Sequence, residues 1–374
     1  MTDVIDKMLI GMALLVAGIV LAIYLTGPRS PLFKHEECEV NHDVREYSRC
    51  DFKEAQMSKA DFSGVELVNS VFNYAELEKA TFKSSQLKSV DFSNSNLGYA
   101  DFSNSELNEV VFDRANLEGA VFKQAQLESQ RFYFSNLPGA DFEGAILQTS
   151  MFSGANLKHA VFKHANLTNA RMSWTDLSSS NFANAVLVGT TLDSAILLDS
   201  KMVHANLTGA DLKNANLSKL DLSSCLLKDA DLSGANITGC NLSGLNLSTT
   251  NLDHVQADQA NYKGAIGVPA WIKTGLNQEG IFSKVLLIKQ IKTGFKNLKG
   301  ANLKGLDLRD VDLSNANLEN ADLTNAKLKN AILVSSNLIN ARFNNQQIEN
   351  AKLGGATIAV GKVCKTPSVG YCRL

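Results

Sequence analysis

Six histidines, His35, His42, His159, His164, His204 and His254, are the side chains best suited to hold a transition metal or to move a proton. His159 and His164 stand five residues apart, and His164 and His204 forty. Such spacings converge on one ion only if the element carrying them brings them together. Asp and Asn are abundant, but acid–base chemistry needs two carboxylates in one cleft. No G-x-x-x-x-G-K-[ST], H-E-x-x-H or G-x-S-x-G occurs. Cysteine is more informative. Cys38 and Cys50 form one close pair, and Cys364 and Cys372 another across the segment KTPSVGY. These read as two disulfide clasps, one towards each terminus, and place the chain on an oxidising side of a membrane. As four free thiols they would instead indicate a reducing cytosol. Trp174 stands where an outward polar residue is routine, which makes it a candidate contact residue.

The element that must position all of these is set by a period of five. From Phe52 every fifth residue is Phe, Leu, Met or Ile: Phe52, Met57, Phe62, Leu67, Phe72, Leu77, Phe82, and so on to Leu252 without an insertion. Ala257 and Tyr262 follow. Two positions before each centre stands a residue that is mostly small, as at Ala60, Ala75, Ala80, Ala100, Ala115 and Ala120. An Asp or Asn commonly lies between them, as in Ala210-Asp211-Leu212. A period of five fits neither a helix nor a flat strand, so the chain must turn within every repeat. Four repeats close a square coil, with the large and the small residue pointing inward. Phe recurs every ten residues from Phe52 to Phe162 and again at Phe182. Ten is half a coil, so Phe should stack in columns on two opposite faces. On such a coil His164 and His204 lie ~10 Å apart on one face, too far to share a metal. Cys225 and Cys240 fall at small inward positions and should be buried thiols.

The A-(D/N)-(L/F)-x-x pattern resembles the pentapeptide-repeat family, over about 50–265 and again 296–360. The resemblance implies an all-β fold, a right-handed quadrilateral β-helix, here of roughly eleven coils and then about three, separated by an insert. It also implies a bacterial source. Some members of the family bind topoisomerases as mimics of duplex DNA.

Met8 to Leu25 contains 18 residues without a charge or a strongly polar group. As a helix it nearly spans a hydrocarbon core of ~30 Å. Its apolar run exceeds that of an ordinary signal peptide and lacks a good cleavage site, which favours an uncleaved anchor. Ala13-x3-Ala17 and Gly18-x3-Ala22 permit close helix pairing and hence a homo-oligomer. The flanking basic residues, Lys7 before and Arg29 and Lys34 after, lean towards a cytoplasmic C-terminal part. The cysteine pairs lean the other way, towards a periplasmic or otherwise extracytoplasmic one.

The sequence therefore divides into 1–30 with the membrane helix 8–25, a linker and cap 31–49, a first repeat block 50–266, an insert 267–295, a second repeat block 296–360 and a clasped tail 361–374. In the insert, Pro269 and Gly275 mark a loop. Phe282, Val285, Leu286, Ile288 and Ile291 predict a short amphipathic helix covering the apolar end of the first block. Residues 267–374 carry 15 Lys/Arg against 7 Asp/Glu (+8), and residues 1–266 carry 21 against 31 (−10). The net charge of −2 excludes a generally basic nucleic-acid binder. The resulting reading is a single-pass, membrane-anchored, non-enzymatic repeat scaffold for protein–protein interaction. It needs no cofactor or metal and no direct nucleic-acid contact, and its protein partner is unidentified. The rival readings are an acidic DNA-mimic solenoid directed at a topoisomerase and a secreted effector that docks on membranes.

Overall fold

The computed structural model describes residues 46–374, except 345–346, 349, 360–361, 367 and 373–374, together with 14–16 and 19–21. They fall into two compact units, Met1–Leu207 and Thr208–Leu374.

In the first unit, β1 (Leu14–Val16) and β2 (Ile19–Leu21) pair antiparallel, Leu14 opposite Leu21 and Val16 opposite Ile19. The helix expected over Met8–Leu25 is therefore not what these six residues form. Val16, Ile19 and Val20 are β-branched and suit extended backbone. The rest of that segment lies outside the described residues. Among those described, no helix is long and apolar enough to cross a membrane.

From Glu46 onward the period of five becomes a four-sided coil. In each repeat the residue three after the centre donates its N–H to the carbonyl of the centre, as Ala75 does to Phe72 at 3.0 Å. The second of the two residues between them is left-handed, with φ of +61° at Tyr74 and +59° at Asn94. This is a turn whose third residue has positive φ, so the chain turns a corner every five residues. The Asp or Asn before each centre has a definite job. Asp101 Oδ1 accepts the Ser103 N–H at 2.9 Å, and Asn166 Oδ1 accepts the Thr168 N–H at 3.1 Å. These side chains brace the turn from outside.

Successive coils pair in parallel at a spacing of twenty residues, as in Val71 with Asp91, Asp91 with Val111 and Val111 with Arg131. Phe72 N–H bonds the Asp91 carbonyl at 2.7 Å and Asp91 N–H the Ser70 carbonyl at 3.0 Å. Inside, the Phe columns form as expected. Phe82 stacks on Phe102 at 4.7 Å, and the facing columns meet edge-on, Phe92 to Phe102 at 6.0 Å. Where Ser takes the small inward place its hydroxyl donates to the preceding centre's carbonyl, as Ser85 does to Phe82 at 2.6 Å.

One face departs from this rule. β3 (Glu46–Ser48), β4 (Glu66–Val68), β5 (Gln86–Lys88) and β6 (Glu106–Asn108) form a parallel four-stranded sheet. It stops where Gln130 occupies the small inward position. The buried Gln130 side chain accepts the Val110 N–H at 2.6 Å and donates to the Leu107 carbonyl at 3.1 Å. It satisfies two backbone groups that the changing turn geometry would leave without partners.

In the second unit the same coils run to Ile266, paired for example as Asp211 with Asp231 and Asn246 with Ile266. An insert follows. α1 (Ala270–Thr274) occupies a stretch that the sequence marks only as a loop, and it buries Trp271 and Ile272. Pro269 is its N-cap, and its carbonyl accepts the Ile272 and Lys273 N–H groups at 3.1 and 3.0 Å. Trp271 then meets Phe282 edge-on at 5.6 Å. α2 (Lys284–Lys292) matches the expected helix, but its buried face is Leu287 and Ile291, while Val285 is exposed. Positions 287 and 291 are one turn apart, and 285 lies on the other side of the helix. The insert covers two sides of the last coil, since Tyr262 N–H bonds the Gly280 carbonyl at 2.8 Å and Gln259 N–H bonds Phe282 at 2.9 Å. A third side is covered by the second block itself, where His254 N–H bonds the Gly300 carbonyl at 2.7 Å. Coils then resume, Asn297 pairing with Asn317, Asn317 with Asn337 and Asn337 with Thr357. β7 (Thr357–Ala359) and β8 (Lys362–Val363) close the unit as an antiparallel pair.

Candidate functional site

The histidines do not assemble a centre. His159, His164 and His204 sit at left-handed corners with φ of +60°, +59° and +56°, where polar side chains point away from the core. His164 and His204 share a corner column two coils apart, ~10 Å by the strand spacing. His35 and His42 lie outside the described residues. His254 has a different task that its sequence position does not reveal. Its ring nitrogen contacts the Asn320 carbonyl, and Asn302 Nδ2 donates to the His254 carbonyl at 2.9 Å. It thus ties the first block's last coil to the second block. Among the described residues, no three His, Cys, Asp or Glu side chains come close enough to hold a metal ion.

The cysteines divide by position. Cys364 and Cys372 are bonded to each other, with Cα atoms 5.0 Å apart. Cys50 is held in a disulfide, and Cys38 lies outside the described residues. Cys225 and Cys240 are in no disulfide and are buried at the small inward position. Burial pushes the Cys240 thiol up to about 12, so it stays protonated, donating to the Leu217 carbonyl at 2.8 Å. A thiol of that kind packs and does not react. Beside it the Tyr262 hydroxyl is buried without a hydrogen-bond partner, as is the Trp271 indole N–H, and burial raises the Tyr262 hydroxyl's pKa.

Some outward charges pair from coil to coil. Lys83 meets Asp101, Lys123 meets Asp141 and Lys158 meets Asp176, each at 3.1 Å. One polar row binds itself: Asn116 donates to Asn96 at 3.0 Å, Asn136 to Asn116 at 3.0 Å and Asn156 to Asn136 at 2.9 Å. These rows strengthen the ladder.

The exposed aromatics are distributed otherwise. Trp174 is 69 % exposed, as its place in the repeat predicts. Tyr74 and Phe134, at 56 % and 66 %, stand on the same corner column, because the three numbers differ by multiples of twenty. Sequence reasoning singled out Trp174 alone, although stepping by twenty along the corner position finds all three. Between Tyr74 and Trp174 a groove of about 320 Å³ is lined by Ser93, Asn94, Asp113, Arg114, Tyr133 and Phe134.

Two descriptions of this repeat match the chain. The pentapeptide repeat region matches residues 46–122 and 175–252. Pentapeptide repeats (8 copies) match segments within 111–182 and at 297–334. No curated protein matches in sequence. Among solved structures the chain is similar to HetL, a pentapeptide repeat protein involved in heterocyst differentiation regulation from the cyanobacterium Nostoc sp. strain PCC 7120. The identity is 23 %, over 57 % of this chain and 91 % of that one, with a TM-score of 0.38. It is also similar to QnrB1, a plasmid-mediated fluoroquinolone resistance protein, at 22 % identity over 51 % of this chain and 85 % of that one, with a TM-score of 0.31. A pentapeptide repeat protein from the Arabidopsis thaliana thylakoid lumen aligns at 27 % identity over 34 % of this chain and 65 % of that one, with a TM-score of 0.13. At these TM-scores the superpositions carry no functional argument. The matched repeats, with their coil-to-coil ladder, assign the chain to the pentapeptide-repeat family.

Proposed function

We propose that the chain is a membrane-attached, non-enzymatic scaffold that presents a right-handed β-helical surface to a protein partner. The observation that carries this reading is the ladder itself. Within the first unit each coil is bonded to the next on every side, and the interior is filled by stacked rings. Such a body holds its faces rigid, so side chains on them need little ordering when a partner docks.

The attachment rests on the 18 residues from Met8 to Leu25. In a bilayer a lone two-stranded pair leaves backbone groups without partners, whereas a helix satisfies them within the segment. The membrane therefore favours the helical form of the same run. The side of the membrane rests on the cysteines: the Cys364–Cys372 bond and the disulfide at Cys50 belong in an oxidising compartment.

Alkaline carbonate extraction and thiol labelling of intact cells test both parts. The full chain should stay in the membrane pellet after carbonate. An impermeant thiol reagent should label Cys364 and Cys372 only after reduction. Release of the intact chain into the supernatant would overturn the anchor. Labelling that requires lysis but no reductant would place the repeats in the cytosol.

A further inference from the structure

We infer that the corner column carrying Tyr74, Phe134 and Trp174 is a docking strip for an acidic, amphipathic segment of a protein partner. The inference rests on the scaffold reading above and names the face that the scaffold uses. Three large aromatics stand more than half exposed along one edge of the coil. Trp, Tyr and Arg are the residue types that concentrate binding energy at interfaces. Phe134 is held in place, since its ring lies 2.6 Å from where a Cβ on Gly154 would stand, and Gly154 has φ of +73°. A side chain there would displace the ring. Tyr133 is fixed beside it, its hydroxyl donating to Met151 Sδ at 2.9 Å and its ring lying 5.6 Å from the Arg131 guanidinium.

The charges choose the partner. Asp113, in the wall of the groove, is already taken: one carboxylate oxygen bonds Arg131 and the other accepts the Tyr133 N–H at 3.1 Å. Arg114 and Arg171 form no ion pair with another described residue, and both are exposed. The strip therefore offers apolar rings and, at Arg114 in the groove wall, a guanidinium outside any ion pair, with Arg171 on the ladder row of the same face, which complement apolar side chains interleaved with carboxylates. The spacing suits a helix. Phe134 and Trp174 are two coils apart, ~10 Å, and two helical turns rise ~11 Å. A helix laid along the strip would set residues seven apart on the two rings and present carboxylates to the arginines beside them.

The test uses the full chain and three probes. The first is a synthetic helical peptide with Leu at i, i+3, i+4 and i+7 spacing and Glu elsewhere. The second carries Lys in place of Glu, and the third is a chitin-derived oligosaccharide. The chain has two tryptophans, and Trp271 is buried, so a change in emission reports Trp174. The acidic peptide should shift Trp174 emission to the blue and bind at least about tenfold more tightly than the basic one. Phe134→Ser and Arg114→Glu should each weaken it by about tenfold or more. Both residues are exposed, and unchanged thermal unfolding of each variant verifies its fold. Equal affinity for the two peptides, no binding of either, binding of the oligosaccharide instead, or insensitivity to both substitutions would overturn the inference. None of these results bears on carbonate extraction, so failure of the strip and failure of the membrane scaffold are distinguishable.

Discussion

At the residue scale the fold depends on what faces inward. Phe102 is fully buried, stacked on Phe82 and Phe122 at 4.7 and 4.9 Å. Phe102→Ala should destabilise the unit by ~3–5 kcal/mol, as for other buried aromatic side chains. Ser103→Ala, which loses one bond to Asp101, should cost about 1 kcal/mol. Chemical unfolding of the two variants measures the difference, and equal small effects would contradict the inward assignment. Gln130→Leu should be costlier than its size suggests, at about 2–3 kcal/mol, because it strands the Val110 N–H and the Leu107 carbonyl. The bracing carboxylates give a pH dependence. Burial pushes Asp101 up, but bonds from Ser103 and Lys83 outweigh it and hold it below its ordinary value. Asp176 and Asp231 are held down in the same way by Ser178 with Lys158 and by Ser233 with Lys213. A carboxylate depressed in the folded state contributes stability that is present above its unfolded value, about 4, and is lost as pH falls through the folded value. The thermal midpoint should therefore hold from neutral pH to about 5 and drop below about 4. Asp101→Asn should reduce that drop, as melts across the range will show.

At the element scale the coil was legible and its exceptions were not. An uninterrupted centre from Phe52 to Leu252 leaves one geometry that buries every centre, so columns, corners and inward cysteines follow from counting. The insert has no such period. Its five-residue α1 is too short to show a stripe, and α2 buries Leu287 where a reading by apolar content chose Val285. The Gln130 switch and the His254 joint were hidden for another reason. Each depends on contacts twenty or more residues away, with partners that are backbone groups and leave no mark in composition. The corner strip was half legible, since Trp174 stands out locally but Tyr74 and Phe134 join it only through the coil's period. The cap supplies a prediction. Leu287→Asp puts a charge into a fully buried site and should loosen the insert. Limited proteolysis should then cut near 264–300 while the first unit stays protected. Cleavage throughout the chain would mean that the cap supports more than its own unit.

At the scale of the whole molecule, the claims concern the compartment and the partner. Removing the tail clasp with Cys364→Ser and Cys372→Ser should cost ~2–3 kcal/mol in the chain-entropy model. The loss should appear as fraying of β7 and β8, read by hydrogen exchange, because an end coil has a neighbour on one side only. The central claim is that this chain acts by presenting one face to another protein at a membrane. Site-specific photocrosslinking in cells that produce the chain tests it most directly. The reagent is placed at Trp174 on the aromatic corner and, separately, at Asn184, half a coil away on the opposite corner. The account predicts one discrete protein adduct in the membrane fraction from position 174 and none from position 184. Equal adducts from both corners, or none from either, would contradict it.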